Sequence, residues 1–223
     1  MKFYLILILI SFQVVLSGNF FSQKTAGIYK IKFLIDRRLI NSVQVTQGNQ
    51  TIQNGGFNTV RLSDVDLDSI RNMIVNTVAA ELNANTECVY RTTRSGRRIA
   101  TFEGGSQQRG MPTSGKKRAI KIFDKDFYVR VFINYSLVNS FSIGSSITGV
   151  SRFRPVVGIT IKAYNVEGRR IYFENVFVND FTKLQSFQYT VNGVTIRNSE
   201  VLQPQQIREM LSKSLRELRE KER

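Results

Sequence analysis

Chemistry in this chain must come from acidic, basic or hydroxyl side chains, because it contains no histidine. Without an imidazole there is no Ser-His or Cys-His nucleophile pair, no His-ligated catalytic zinc and no histidine general base. The single cysteine, Cys88, also removes structural zinc sites and any intramolecular disulfide. It reads as a buried small hydrophobe rather than a reactive thiol. What remains is a carboxylate pair, a Ser-Lys dyad or oxygen-ligated calcium. Asp64, Asp66 and Asp68 alternate as in a calcium loop, but a loop starting at Asp64 needs glycine where Ser69 stands and glutamate where Val75 stands. That run reads instead as a helix start, with Ser63 as N-cap and Asp66 completing an acidic variant of the capping box. Ser212 with Lys213 and Ser114 with Lys116 lack the Ser-x-x-Lys spacing; Ser114 with Lys117 has it, but the Ser-Asp-Asn and Lys-Thr-Gly companions of that signature occur nowhere in the chain. Gly104, Gly105, Gly110 and Gly115 do not form a phosphate loop or a dinucleotide fingerprint.

No catalytic set, metal site or cofactor is therefore expected, and the chain reads as non-enzymatic. Two alternatives stay open. A carboxylate-based hydrolase could use Asp124 with Asp126, or Glu174 with Asp180, if two acids converge in a cleft and one has a raised pKa. A carrier of an apolar ligand would need a lined cavity within the sheet.

The positive charge is more informative. Lys and Arg number 32 against 17 Asp and Glu, a formal net charge of +15. Such a field attracts anions. It is densest from Arg91 to Arg130, which holds eleven basic residues and only Glu103, Asp124 and Asp126 as acids. Arg94, Arg97, Arg98, Arg109, Lys116, Lys117 and Arg118 are the candidate anion-binding residues, Arg offering forked hydrogen bonds and Lys point charge.

The elements that must position these residues divide the chain into two parts. At the N-terminus Lys2 precedes an apolar run from Phe3 to Leu16 that ends in small and polar residues. This is the layout of a signal peptide over residues 1–22, with cleavage before Gly18 or Gln23. It places the remainder outside the cytoplasm, periplasmic or extracellular. An anionic envelope component or envelope protein then becomes the expected partner, with peripheral membrane association open. Nucleic acid is disfavoured by the export signal and by the lack of an RNA-recognition signature.

Residues 23–223 read as one α+β domain with a mobile basic loop at 94–118. Gly27 to Ile35, Ser42 to Thr46 and Phe57 to Leu62 are strand candidates, with Asn54-Gly55-Gly56 as a turn. Leu67, Ile70, Ile74, Val78 and Leu82 recur at helical spacing. Cys88 to Thr93 and Arg98 to Phe102 form a further strand pair. From Ala119 onward the pattern is almost entirely β, and Asn192-Gly193 is a strong hairpin signal. A closing helix opens at Pro204. The expected fold is an antiparallel β-sheet meander with two amphipathic helices packed on one face.

This element order, the meander with Arg154-Pro155-Val156-Val157-Gly158 and Asn165-Val166-Glu167-Gly168-Arg169, and the closing helix resemble small α/β modules of bacterial envelope-assembly proteins, including the curli-secretion lipoprotein type. The resemblance spans about half to two thirds of the chain and implies periplasmic assembly or binding. No Cys follows the apolar N-terminal stretch, so the lipid tether of those lipoproteins is not carried over.

Overall fold

The structure, a computed structural model, describes residues 23–55, 66–99, 110–145 and 147–221. The expected signal peptide, the Ser63 cap, the Phe57 to Leu62 strand and Arg109 lie outside the described residues. In chain order the elements are β1 (Thr25–Ile35), a 3-10 turn (Arg37–Leu39), β2 (Val43–Gln47), β3 (Gln50–Gly55) and α1 (Leu67–Leu82). There follow β4 (Asn85–Cys88), β5 (Arg91–Thr92), β6 (Arg98–Ile99), α2 (Lys116–Ile122), β7 (Phe127–Gly144) and β8 (Thr148–Tyr164). The chain closes with β9 (Arg170–Val178), β10 (Leu184–Val191), β11 (Val194–Ser199) and α3 (Pro204–Glu220).

The expected antiparallel meander with two helices is corrected on two counts. First, the curled main sheet is mixed: its order is β3-β2-β11-β10-β8-β7-β1-β4, with β9 beside β8, and β1 runs parallel to both β4 and β7. Parallel neighbours need long crossover connections. Here those connections carry β2, β3 and α1 before β4, so no local turn signal announces them. Second, there is a third helix, α2, where a loop and then a strand were expected. The local hairpin signals do hold at short range: Asn192 and Gly193 both take positive φ, 50° and 76°, between β10 and β11.

α1 is capped by Asp66, whose carboxylate accepts from the Ser69 N–H at 3.0 Å, so Asp66 fills the position the sequence assigned to Ser63. It ends at Asn83 in the left-handed region. α3 opens with Pro204 and a Gln203/Gln206 capping box. Both helices pack on one side of the sheet. Ile70, Ile74 and Val78 of α1, with Ile207, Leu211, Leu215 and Leu218 of α3, meet Ile31, Phe33, Val131, Ile133, Ile159 and Ile161 in one core. Tyr135 of β7 is fully buried there, and its hydroxyl donates to the Ile207 carbonyl at 2.6 Å.

The β7–β8 hairpin is the spine of the sheet. At 18 and 17 residues, with a rise of about 3.3 Å each, its arms are roughly 60 Å long. One stretch of β8, from Val157, pairs with β9, and the other, up to Phe153, pairs with β10. A bulge at Ser140 interrupts β7 between the Asn139–Phe153 and Phe141–Arg152 pairs.

Candidate anion-binding face

The side of the sheet away from α1 and α3 is basic in its central strands. Successive strand residues alternate sides, and directly paired residues share one. The register therefore sets Lys30 of β1, Arg130 of β7, Lys162 of β8 and Phe173 of β9 in one row. The next row is Lys32, Phe132, Thr160 and Asn175. Arg130, Phe132, Thr160 and Lys162 line a shallow pocket of about 120 Å3. The aromatic rings steady the cations. Lys32 Nζ lies 5.8 Å from the Phe132 ring centre, and Lys162 Nζ and the Arg170 guanidinium lie 5.3 and 5.1 Å from that of Phe173.

Like charges placed directly across strands repel, so a row of three cations is held at an electrostatic cost. Among the described residues none of these cations takes part in an ion pair. On this side β1, β7, β8 and β9 present no carboxylate in the central rows. Glu174 of β9 is paired with Ile161 and so faces the helices.

α2 closes one end of this face. Ala119 is buried there beside Tyr29, Val89 and Tyr128, with Ile120, Phe123 and Tyr164 packed around them. Tyr128 and Tyr164 are paired across β7 and β8 one row before Arg130 and Lys162, so the helix adjoins the cation row. Burial, with the neighbouring Tyr164 phenol, pushes the Tyr29 hydroxyl up to about 12 against the opposing pull of Arg130.

The basic residues singled out from the sequence are divided among several elements. Lys116 is committed internally: its Nζ donates to the Gly168 carbonyl at 3.0 Å and sits 4.6 Å from the Tyr164 ring centre. Lys117 and Arg118 are exposed on α2. Arg94, Arg97 and Arg98 are exposed around the β5–β6 hairpin, with the Arg98 guanidinium 5.3 Å from the Tyr90 ring centre. Between hairpin and helix, Thr113 bridges to Lys30 of β1. The stretch expected as a single loop thus includes a hairpin, an edge bridge and the first residues of a helix. Sequence reasoning missed Lys30, Lys32, Lys162 and Arg170 as site residues. Their signal was the alternation of basic residues along strands, as at Lys30 and Lys32.

No family model matches the chain, and no curated protein matches it. Three solved structures show limited similarity. One is of a homolog of neuraminyllactose-binding hemagglutinin from Helicobacter pylori, at 7% identity and a TM-score of 0.33, covering 86% of this chain and 80% of that one. Lipoprotein GNA1162 from Neisseria meningitidis is 10% identical, with a TM-score of 0.32 and coverage of 70% and 83%. The hypothetical protein CT253 from Chlamydia trachomatis is 6% identical, with a TM-score of 0.34 and coverage of 89% and 95%. These scores are too low to assign a shared fold, so function is read from this chain's own residues.

The alternative chemistries find the following geometry. The Asp126 carboxylate accepts from the Thr25 N–H at 2.7 Å and the Thr25 hydroxyl at 3.0 Å, which holds it below the usual carboxylate range. A general acid needs the opposite shift. Asp180 pairs with Lys213 of α3. Among the described residues no three His, Cys, Asp or Glu side chains converge as metal ligands. A groove of about 510 Å3 lies between α3 and the start of β10, with Phe181, Leu184, Leu202 and Met210 beside Lys183, Lys213, Glu200 and Glu209. Its lining mixes both charges and lacks the single-sign character of the basic face. No helix among the described residues is long and apolar enough to cross a membrane.

Proposed function

We propose that this chain is an exported, non-enzymatic binding module that recognises an anionic envelope component through the basic face of its sheet, extended by Lys117 and Arg118 of α2. The observation that carries the reading is the Lys30, Arg130, Lys162 row: three cations side by side, Lys162 lying over the Phe173 ring, and none of them in an ion pair among the described residues. An anion laid across the row relieves the repulsion among the cations and takes forked hydrogen bonds from Arg130. The N-terminal Lys2 and the apolar run after it support export.

Inorganic polyphosphate is a suitable probe because it offers phosphate oxygens without sequence, sugar or lipid. The combined substitutions Lys30→Gln, Arg130→Gln and Lys162→Gln are expected to weaken its binding on the order of tenfold or more, most clearly at low salt. Unchanged affinity in that variant would refute the assignment of the face. If Arg94→Gln, Arg97→Gln, Lys117→Gln and Arg118→Gln then removed all binding, the hairpin and α2 alone would be the site.

A further inference from the structure

Beyond the Ser140 bulge the polarity of the sheet inverts. Toward the helix-bearing side, β7, β8, β10 and β11 present Ser142, Ser151, Ser186 and Ser199 in one paired row. These hydroxyls bond one another, Ser142 with Ser151 at 2.9 Å and Ser199 to Ser186 at 2.9 Å, as do Thr190 and Thr195 at 3.0 Å, two rows further along β10 and β11 beyond the Gln188–Arg197 pair. The opposite side is apolar. Ile143, Val150 and Phe187 are paired across β7, β8 and β10, flanked by Phe141, Tyr189 and Val191. Four of these side chains are more than half exposed: Phe141 53%, Ile143 64%, Phe187 52% and Val191 56%.

This apolar area lies on the same side of the sheet as the cation row, so α1 and α3 do not reach it. An exposed contiguous apolar patch of this kind marks an interaction surface. Its border says what it meets. Arg152 is paired with Phe141 and Arg154 with Val138, so guanidinium groups stand at the apolar rim, and the Lys30, Arg130, Lys162 row follows on the same face. A second copy of the chain would oppose like charges at such a contact. A bilayer with anionic headgroups matches both parts, with hydrocarbon and interface for the apolar tip and phosphates for the rim.

We propose that this face docks on an anionic lipid bilayer, with the β7–β8 tip and β10 entering the interface and Arg152, Arg154 and Lys162 engaging lipid phosphates. The proposal rests on the anion-binding reading above and names its ligand.

The test uses the chain from Gly18, which retains every described residue, and vesicles of phosphatidylglycerol with phosphatidylcholine against phosphatidylcholine alone. The chain has no tryptophan, so Phe187→Trp supplies a single probe on the apolar side and Thr190→Trp one on the hydroxyl side. With anionic vesicles the Phe187→Trp emission is expected to shift to the blue and to be quenched by brominated acyl chains, while that of Thr190→Trp stays unchanged. Phe141→Ser, Ile143→Ser and Phe187→Ser together are expected to weaken vesicle binding about a hundredfold, each withdrawing a half-exposed apolar side chain from the interface. Polyphosphate binding by that variant is expected to match the parent. Arg152→Gln, Arg154→Gln and Lys162→Gln should weaken both.

An unquenched Phe187→Trp, vesicle binding unaffected by the three serine substitutions, or lipid-free oligomers abolished by those substitutions in sedimentation equilibrium would each overturn the proposal. Polyphosphate binding without vesicle binding would leave anion recognition standing and remove the bilayer. Polyphosphate binding that ignores the charge substitutions would remove the underlying reading itself.

Discussion

Replacing Tyr135 with phenylalanine should lower stability at neutral pH and reduce its loss in alkali, so the two stability curves should converge. The Tyr135 hydroxyl donates to the Ile207 carbonyl at 2.6 Å and ties β7 to the first turns of α3. The ring itself packs against Phe33, with centres 5.3 Å apart, and phenylalanine preserves that contact. The substitution therefore removes one buried hydrogen bond, for a net loss of about 1 kcal/mol. Burial also holds the phenol protonated far above the ordinary tyrosine value of 10.0. A folded-state pKa raised in this way contributes stability that is present below the unfolded value and is lost as pH rises above it. Past about pH 10 the parent protein should lose up to ~1.4 kcal/mol per pH unit through Tyr135 alone, a slope the variant lacks. Dividing the two figures places the convergence near pH 10.7, about 0.7 unit above the unfolded value. Urea unfolding followed by circular dichroism from pH 7 to pH 11.5, with an unchanged m-value, measures this directly. Curves that remain parallel to pH 11.5 would refute the buried-phenol reasoning, and a neutral-pH loss above about 3 kcal/mol would show that more than one hydrogen bond was removed.

At the acid end, Asp126→Asn should flatten the decline in stability. Hydrogen bonds from Thr25 hold the Asp126 carboxyl low, so its contribution is present above the unfolded value of about 3.9 and is lost as pH falls through the lowered one; urea midpoints from pH 5 to pH 2 test it. Burial pushes the Cys88 thiol up to about 11, leaving on the order of a thousandth as thiolate at pH 8. Cys88 should therefore react with a disulfide reagent hundreds of times more slowly than a free thiol, and at the ordinary rate once unfolded. Asp66→Ala should remove the α1 cap at a cost of about 1 kcal/mol, read from the urea midpoint, whereas an unaltered midpoint would mean that the Ser69 N–H finds water instead.

What the sequence made legible was local. The stripe of Ile70, Ile74 and Val78, and that of Ile207, Leu211 and Leu218, repeat at helical spacing, and both are buried as that spacing requires. Asn192-Gly193 announces its own turn because the needed backbone is intrinsic to those residues. β1 gives no sign of its neighbours, since Ala26 pairs with Thr86 and Phe127, both distant in the chain. β3, Gln-Thr-Ile-Gln-Asn-Gly, lacks an alternating pattern and is a strand because β2 offers it a ladder. α2 is seven residues long, too short for its pattern to outweigh the polar stretch before it. The basic face was half visible. Lys30 and Lys32 alternate in the sequence, but the alignment of Lys30 with Arg130 and Lys162, and of Lys32 with Phe132, depends on a register shift between Ile28 and Lys30 that only the folded sheet displays.

The place of β1 between β4 and β7 also fixes an order of events during biogenesis. Synthesis runs from the N-terminus, and β1 is the first strand of the sheet to be made. Its partner Phe127 follows Ala26 by about a hundred residues, which at synthesis rates of about 5–20 residues per second is a wait on the order of 5–20 s. Through that interval Ile31 and Phe33, almost fully buried in the finished molecule, lack their β7 neighbours, since β4 pairs with β1 only as far as Ile28. The central sheet therefore cannot close before the β7–β8 arms have been made, and the first strand of the core is completed by one of the later ones.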